Sequence, residues 1–245
     1  MNTEVTEDRF LGGNVIVRQP ARGFRAGLDA VMLAAAVPAR AGQHVLELGA
    51  GAGTASLCLA RRVEGARVKG IEIDAALAAL ANENAKANGF AERVAFVAED
   101  ALALPSELRH DFDHVFCNPP FHGEEGETSP DEARARAVQD GGTLSAWITA
   151  GMKRAVSGGT FTLVLRADRM GEALAALPDR GVTIFPLWPR AGEAAKRVIL
   201  QGRQGARTPL VIRPGLVLHD TDGRYTAEAD AVLREGAALS FSPSP

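Results

Sequence analysis

The sequence predicts an α/β fold: a doubly wound, mostly parallel sheet with an antiparallel edge and an N-terminal hairpin and helix ahead of it. Three observations carry this. Short apolar runs alternate with helical segments through the first two thirds of the chain, the spacing of βα units. A glycine-rich turn, "LELGAGAGT", directly follows the first of these runs. From Gly181 onward the apolar runs follow one another with too little helix between them for parallel crossovers, so antiparallel pairing is expected at one edge. The chain has 245 residues, 46% of them hydrophobic, enough for a large core.

The elements follow in order. "RFLGGNVIVRQP" predicts a hairpin around Gly12-Gly13-Asn14, followed by a helix from about Gly27 to Val37. These form an N-terminal extension, residues 1–40, packed on a main domain spanning 41–245 whose C-terminal portion is β-rich. "HVLELG" (44–49), "RVKGIEID" (67–74), "RVAFVAED" (93–100), "FDHVFCN" (112–118) and "TFTLVLR" (160–166) are predicted strands. An Ala-rich helix runs from Ala75 to Asn88 and is stopped by Gly89. A second carries Leu144, Trp147, Ile148 and Ala155 on one buried face. "VTIFPLW", "KRVILQG" and "PLVIR" supply the antiparallel edge.

Composition narrows the function. No apolar run approaches the ~20 residues of a membrane span, and the N-terminus "MNTEVTEDRF" is acidic, so a cytoplasmic protein is expected. Cys58 and Cys117 lie in apolar surroundings without a Cys/His set at metal spacing, which predicts two buried thiols and no metal. The net charge of −3 hides a basic segment. Between Arg180 and Arg213, the residues Arg180, Arg190, Lys196, Arg197, Arg203, Arg207 and Arg213 face a single acid, Glu193. Together with Arg18, Arg22 and Arg25 they are candidates for an RNA-binding face, with Arg18, Arg22, Arg25, Arg197, Arg203 and Arg207 as its named members; a solvated surface explains them equally well.

The chemistry is expected where strands end. Gly49, Gly51 and Gly53 fall between a strand and a helix, where glycine lets the backbone turn sharply and approach a ligand. Glu72 ends the second strand, placed to accept both ribose hydroxyls of a nucleoside cofactor, and Asp100 ends the third, placed to accept from an adenine amine. "CNPPFH" follows the fourth. Pro119 and Pro120 fix two φ angles and remove two donors, leaving a rigid turn of carbonyl acceptors beside the Asn118 side-chain oxygen. Two acceptors aimed at one point suit an exocyclic NH₂ group, turning its lone pair toward an electrophile. Phe121 would supply the face on which the base stacks.

"ELGAGAG", "GIEID", "AED" and "NPPF", in this order and spacing, resemble the S-adenosylmethionine-dependent class I methyltransferases that modify planar exocyclic or amide nitrogens. Within that group, "FLGGNVIVRQPARGFRAGLDAVMLAAAVP" and "RARAVQDGGTLSAWI" are similar to the bacterial enzymes that methylate adenine N6 beside the anticodon of valine tRNA. The resemblance implies a Rossmann-like fold on a seven-stranded sheet, S-adenosyl-L-methionine as cofactor and tRNA as partner. It implies that Glu47, Gly49, Gly51, Gly53, Glu72, Asp100 and Asn118 surround the cofactor, with Asp29 of "GLDAVML" near its amino end. Asn118, Pro119, Pro120 and Phe121 then form the catalytic motif; where those enzymes commonly carry Tyr, this chain has Phe121 followed by His122. "NPPFH" also resembles guanine-N2 methyltransferases of ribosomal RNA, and "NPPY" enzymes act on glutamine of release factors. A catalytically silent subunit that binds RNA or a partner is the alternative of another class, and an intact amine grip argues against it. His122 is assigned to packing or RNA contact, because a neutral amine needs no prior deprotonation. The acidic stretch from Gly123 to Gly142, with Arg134 and Arg136, is expected to form a flap over the substrate.

Overall fold

The structure is a computed structural model and describes residues 4–23, 25–104, 112–120 and 143–241. Strands β1 (Val5–Phe10) and β2 (Val15–Pro20) form the expected antiparallel hairpin, a two-stranded sheet of its own. Helix α1 (Leu28–Ala36) follows, bounded by Gly27 and Val37 as the sequence suggests.

The parallel core is built from β3 (His44–Leu48), α2 (Thr54–Arg62), β4 (Arg67–Glu72), α3 (Ala75–Ala87), β5 (Val94–Ala98) and β6 (Phe112–Cys117). Helix α4 (Leu144–Arg154), β7 (Ala155–Arg166), α5 (Met170–Ala176), β8 (Val182–Arg190) and β9 (Arg197–Arg203) continue it. Side chains start the helices where their first N–H groups lack partners: Asp74 accepts from Ala76 and Leu77, and Thr143 from Ala146. Ala155, expected on the α4 face, is instead the first residue of β7; the helix closes at Arg154 because Ala155 turns to extended backbone.

The main sheet runs β5-β4-β3-β6-β7-β9-β8, with β9 antiparallel to both neighbours. Two short strands, β10 (Val211–Ile212) and β11 (Leu216–His219), extend it to nine. Both correct the sequence reading. "PLVIR" was expected to pair antiparallel, but β10 runs parallel to β8, and β11 was not anticipated at all. The reason is tertiary: after β9 the chain returns across the sheet end and pairs with the open edge of β8, broken at Pro214 and Gly215.

Alternation along each strand feeds two cores, one on each face of the sheet. Val45 of β3 joins the cluster under α1 and α2, while the next residue, Leu46, joins the cluster under α4. The same split separates Ile199 from Leu200 on β9. The N-terminal hairpin docks on α3 through two asparagines. Asn88 bonds both the N–H and the C=O of Ile16, and Asn84 those of Arg18. At the C-terminus a short helix, α6 (Ala227–Asp230), continues through a wider turn over Ala231–Glu235, and Leu239 N–H then donates to Ala35 C=O at the end of α1. Among the described residues no helix is long and apolar enough to cross a membrane.

Candidate functional site

Parallel strands all end on one edge of the sheet, so the loops after β3, β4, β5 and β6 share one surface. The three glycines after β3 have positive φ (Gly49 73°, Gly51 55°, Gly53 86°), yet they serve different ends. A side chain at Gly49 would meet the Trp147 ring at 3.1 Å, and one at Gly53 the Phe96 ring at 2.5 Å, so both glycines admit packing from opposite faces of the sheet. At Gly51 nothing lies within 4 Å. Only there does the loop present bare backbone to open space, which is where a ligand can approach it.

Glu72 is held in place by the loop it faces. Gly51 N–H donates to its Oε2 (2.7 Å) and Asp74 N–H to its Oε1 (3.0 Å), leaving lone pairs on both oxygens for a ligand's hydroxyls. Ile73, directly after it, is 59% exposed, an apolar side chain on the functional edge that the sequence reading passed over. Its signal was an apolar residue following a strand-ending acid, a place where a solvated residue is ordinary. Ile73 can cover one face of a planar base. Asp100 lies two residues beyond β5, exposed, with Oδ1 accepting from Leu102 N–H (2.8 Å); its second oxygen remains for an amine.

Glu47 sits beneath the loop, 3% exposed, accepting from the Ser56 N–H (3.1 Å) and from the Ser56 hydroxyl. Burial raises its pKa to about 8, against the pull of the Ser56 bonds and with a small push from Glu72. The thiols of Cys58 and Cys117 are buried, as expected, and burial pushes both well up and out of reach of reactive chemistry.

Asn118 follows β6 directly and is half-buried, beside a buried Pro119. Its side-chain Oδ1 is fully shielded from solvent and has no hydrogen-bond partner among the described residues. A buried acceptor without a donor costs about 1 to 3 kcal/mol, and none of the described residues supplies a donor to this oxygen, so it is open to one from a ligand. Phe121, His122 and the expected flap at 123–142 lie outside the described residues.

Asp29 and Arg197 meet each other. Arg197 Nε donates to Asp29 Oδ2 at 2.9 Å, joining the first turn of α1 to the first residue of β9. The remaining basic candidates do not share one face. β9 is antiparallel, so Arg197 stands at the carboxyl edge beside Arg166, while Arg203 stands at the amino edge beside Thr160, with Nη1 on the Gly158 carbonyl. Arg207 lies near Arg203, its carbonyl accepting from Arg180 just ahead of β8. Arg18 pairs with Glu83, and Arg25 bonds Thr6 and Asp8. Arg22 is exposed on the segment leading from β2 to α1.

The residues present suit an adenosine-bearing ligand: bare backbone at Gly51, carboxylate oxygens at Glu72, an apolar face at Ile73, and an unmatched acceptor at Asn118. The methyltransferase small domain model matches residues 26–168. A tRNA1(Val) (adenine(37)-N6)-methyltransferase of Aeromonas hydrophila is 30% identical over 208 residues, 83% of this chain and 86% of that protein. The protein of the same name from Yersinia enterocolitica is 28% identical over 219 residues, covering 86% and 85%. The crystal structure of a predicted O-methyltransferase, protein Atu636 from Agrobacterium tumefaciens, is similar with a TM-score of 0.72 at 28% identity, covering 86% of this chain and 98% of that one. The T. thermophilus 16S rRNA N2 G1207 methyltransferase, at TM-score 0.56 and 22% identity over 82% of this chain and 50% of that one, shares the fold. The chain therefore belongs to the methyltransferase small domain family and is an S-adenosylmethionine-dependent methyltransferase.

Proposed function

We propose that this protein methylates the exocyclic N6 of an adenine in tRNA, at the base beside the anticodon. The observation that carries the reading is the Asn118 side-chain oxygen at the carboxyl edge, shielded and without a donor among the described residues. The relatives named for adenine N6 of a valine tRNA support the choice of base and RNA.

S-adenosylmethionine, when bound, supplies a methyl group open to direct in-line displacement. Gly51, Glu72, Ile73 and Asp100 would hold its adenosine, and Glu47 would support the loop from below. Asn118 Oδ1 accepts one N–H of the target amine and the Pro119 carbonyl accepts the other, so the nitrogen lone pair is turned away from both acceptors. Pro119 and Pro120 offer no backbone N–H to compete for these oxygens. Phe121 is assigned the stacking face for the base. The amine attacks as a neutral group, and its surplus proton leaves to solvent after the new C–N bond forms.

The test is single-turnover methyl transfer to unmodified tRNA, with the product nucleoside identified by mass spectrometry. N6-methyladenosine is the expected product. Asn118→Ala should lower the rate about 10²-fold while cofactor affinity stays near the wild-type value, because that acceptor acts mainly on the reacting geometry. A methylated guanine, or an unchanged rate in the variant, overturns the proposal.

A further inference from the structure

We infer that the stacked rings of Tyr225 and His219 form a platform for a second base of the RNA, one that is not methylated, so that the substrate is held at two points along the carboxyl edge. This deepens the RNA reading proposed above and rests on it.

The sheet itself puts the rings on this edge. β11 pairs parallel with β8, with His219 opposite Arg190 at the last residue of each strand, so both strands end on the edge where Asn118 follows β6. From β6 the order runs through β7, β9 and β8 to β11, so four strand spacings separate Asn118 from His219. At about 4.8 Å each they amount to roughly 20 Å. A single nucleotide in the Asn118 site does not reach that far. A folded RNA loop does, and proteins that read RNA take unstacked loop bases onto the rings of Tyr and His.

The turn that carries the rings holds them rigidly. His219 and Tyr225 bridge across it as an antiparallel pair, and their rings stack with centroids 4.8 Å apart at an interplanar angle of 26°. Asp220 N–H donates to the Arg224 carbonyl (2.9 Å) and Gly223 N–H to the Asp220 carbonyl (3.0 Å), which closes the turn. Thr226 fixes its far side, donating its N–H to the Leu218 carbonyl and its hydroxyl to the Val217 carbonyl. Nδ1 of His219 lies 3.2 Å from the Pro189 carbonyl, which only accepts, so that nitrogen carries the proton and the ring is pinned. One face of Tyr225 is covered by His219, yet the residue stays 37% exposed, the one aromatic among the exposed large hydrophobic side chains of the described residues. The charges around it sum to no positive excess: Arg224 lies 3.6 Å from Asp222 and Arg190 3.3 Å from Glu193, and Asp220 adds an acid. A lone ring among such charges neither makes the contiguous apolar patch of a protein interface nor attracts a phosphate backbone. It offers what a single base takes, a rigid ring face.

Filter binding of unmodified tRNA by the full chain, with single-turnover methyl transfer at rising tRNA concentration, tests the platform. Tyr225→Ala should raise the dissociation constant and the half-saturating tRNA concentration about tenfold and leave the rate at saturation unchanged, because the second base is held equally in ground and transition states. The salt slope of binding should stay at the wild-type value, since a stacked ring releases no counterion. Tyr225→Phe keeps the ring face and should bind as the wild type does, while His219→Ala, which removes the ring beneath, should fall between the two. Calorimetric titration with S-adenosylmethionine should give the wild-type affinity in every variant, which also shows that each is folded. Unaltered tRNA affinity in Tyr225→Ala overturns the platform and leaves the ring to a protein partner. Equal losses in Tyr225→Phe and Tyr225→Ala, or a parallel loss of cofactor affinity, overturn it as well, because the residue then acts through its hydroxyl or through the fold. Failure of the wild type to bind any tRNA would instead sink the RNA reading, and the platform with it.

Discussion

Glu47 shows what a single residue costs the fold. In the unfolded chain it ionises near 4.5; in the folded protein burial holds the proton until about pH 8. Between those values the native state carries a proton that the unfolded state has lost, so stability is full below 4.5 and declines as pH rises toward 8. His114 works in the opposite sense. Burial lowers its pKa from 6.5 to about 4, with its ring between Thr160 and Gln43, so it weakens the fold only as pH falls through that lower window. Thermal melts of the ligand-free protein at about pH 7 and about pH 8, above the His114 window and below the range where the unfolded Cys58 and Cys117 thiols ionise, therefore report mainly on Glu47. The melting temperature should drop between the two, and Glu47→Gln should remove most of the drop. A drop of the same size in the variant would assign it to another group.

At the scale of elements, the decisive joint is the one between the N-terminal hairpin, α3 and the glycine loop. Asn84, 1% exposed, receives the Arg18 N–H and donates to the carbonyls of both Arg18 and Ala52. Ala52 stands between Gly51 and Gly53, so a side chain on α3 ties the hairpin to the glycine loop. Asn84→Ala leaves one N–H and two carbonyls buried without that partner. Urea unfolding should register a loss of roughly 2 to 4 kcal/mol, and cofactor affinity should fall with it as the loop loses a support. Loss of stability with unchanged cofactor affinity would show that the loop is held by β3 and β4 alone. In the sequence this residue is one Asn in "ANENAKAN", indistinguishable by pattern from a solvated helix position.

For the whole molecule, the antiparallel β9 decides how charge is distributed. A basic segment that looks continuous in sequence is folded so that Arg197 reaches the carboxyl edge and Arg203 the amino edge. With the target base at the carboxyl edge, as proposed for Asn118, tRNA should contact the segment around Arg22 and leave Arg203 and Arg207 near solvent. Reversing the charge at Arg203 and Arg207 should leave the slope of log affinity against log salt unchanged, whereas Arg22→Glu should reduce it by about 1. Filter binding across a salt series reads both. A flattened slope in the Arg203/Arg207 variant would mean that the RNA wraps past the sheet to its other edge.

The sequence by itself determined the alternation of elements, the helix limits at Gly27, Val37 and Gly89, and the placing of the glycine loop, Glu72, Asp100 and Asn118 at strand ends. These are local properties: periodicity, capping and turn chemistry act over a few residues, and a parallel sheet brings its carboxyl ends together by construction. Only the tertiary structure decided which of three similar glycines faces open space, since that depends on where the rings of Phe96 and Trp147 lie. It alone set Ile73 out at the site, paired β10 and β11 with β8, and divided the basic residues between two edges. The Asp29–Arg197 pair belongs to the same class. Contacts between residues far apart in the chain leave no periodic trace, because the energy that selects them arises only when the sheet has brought their elements together.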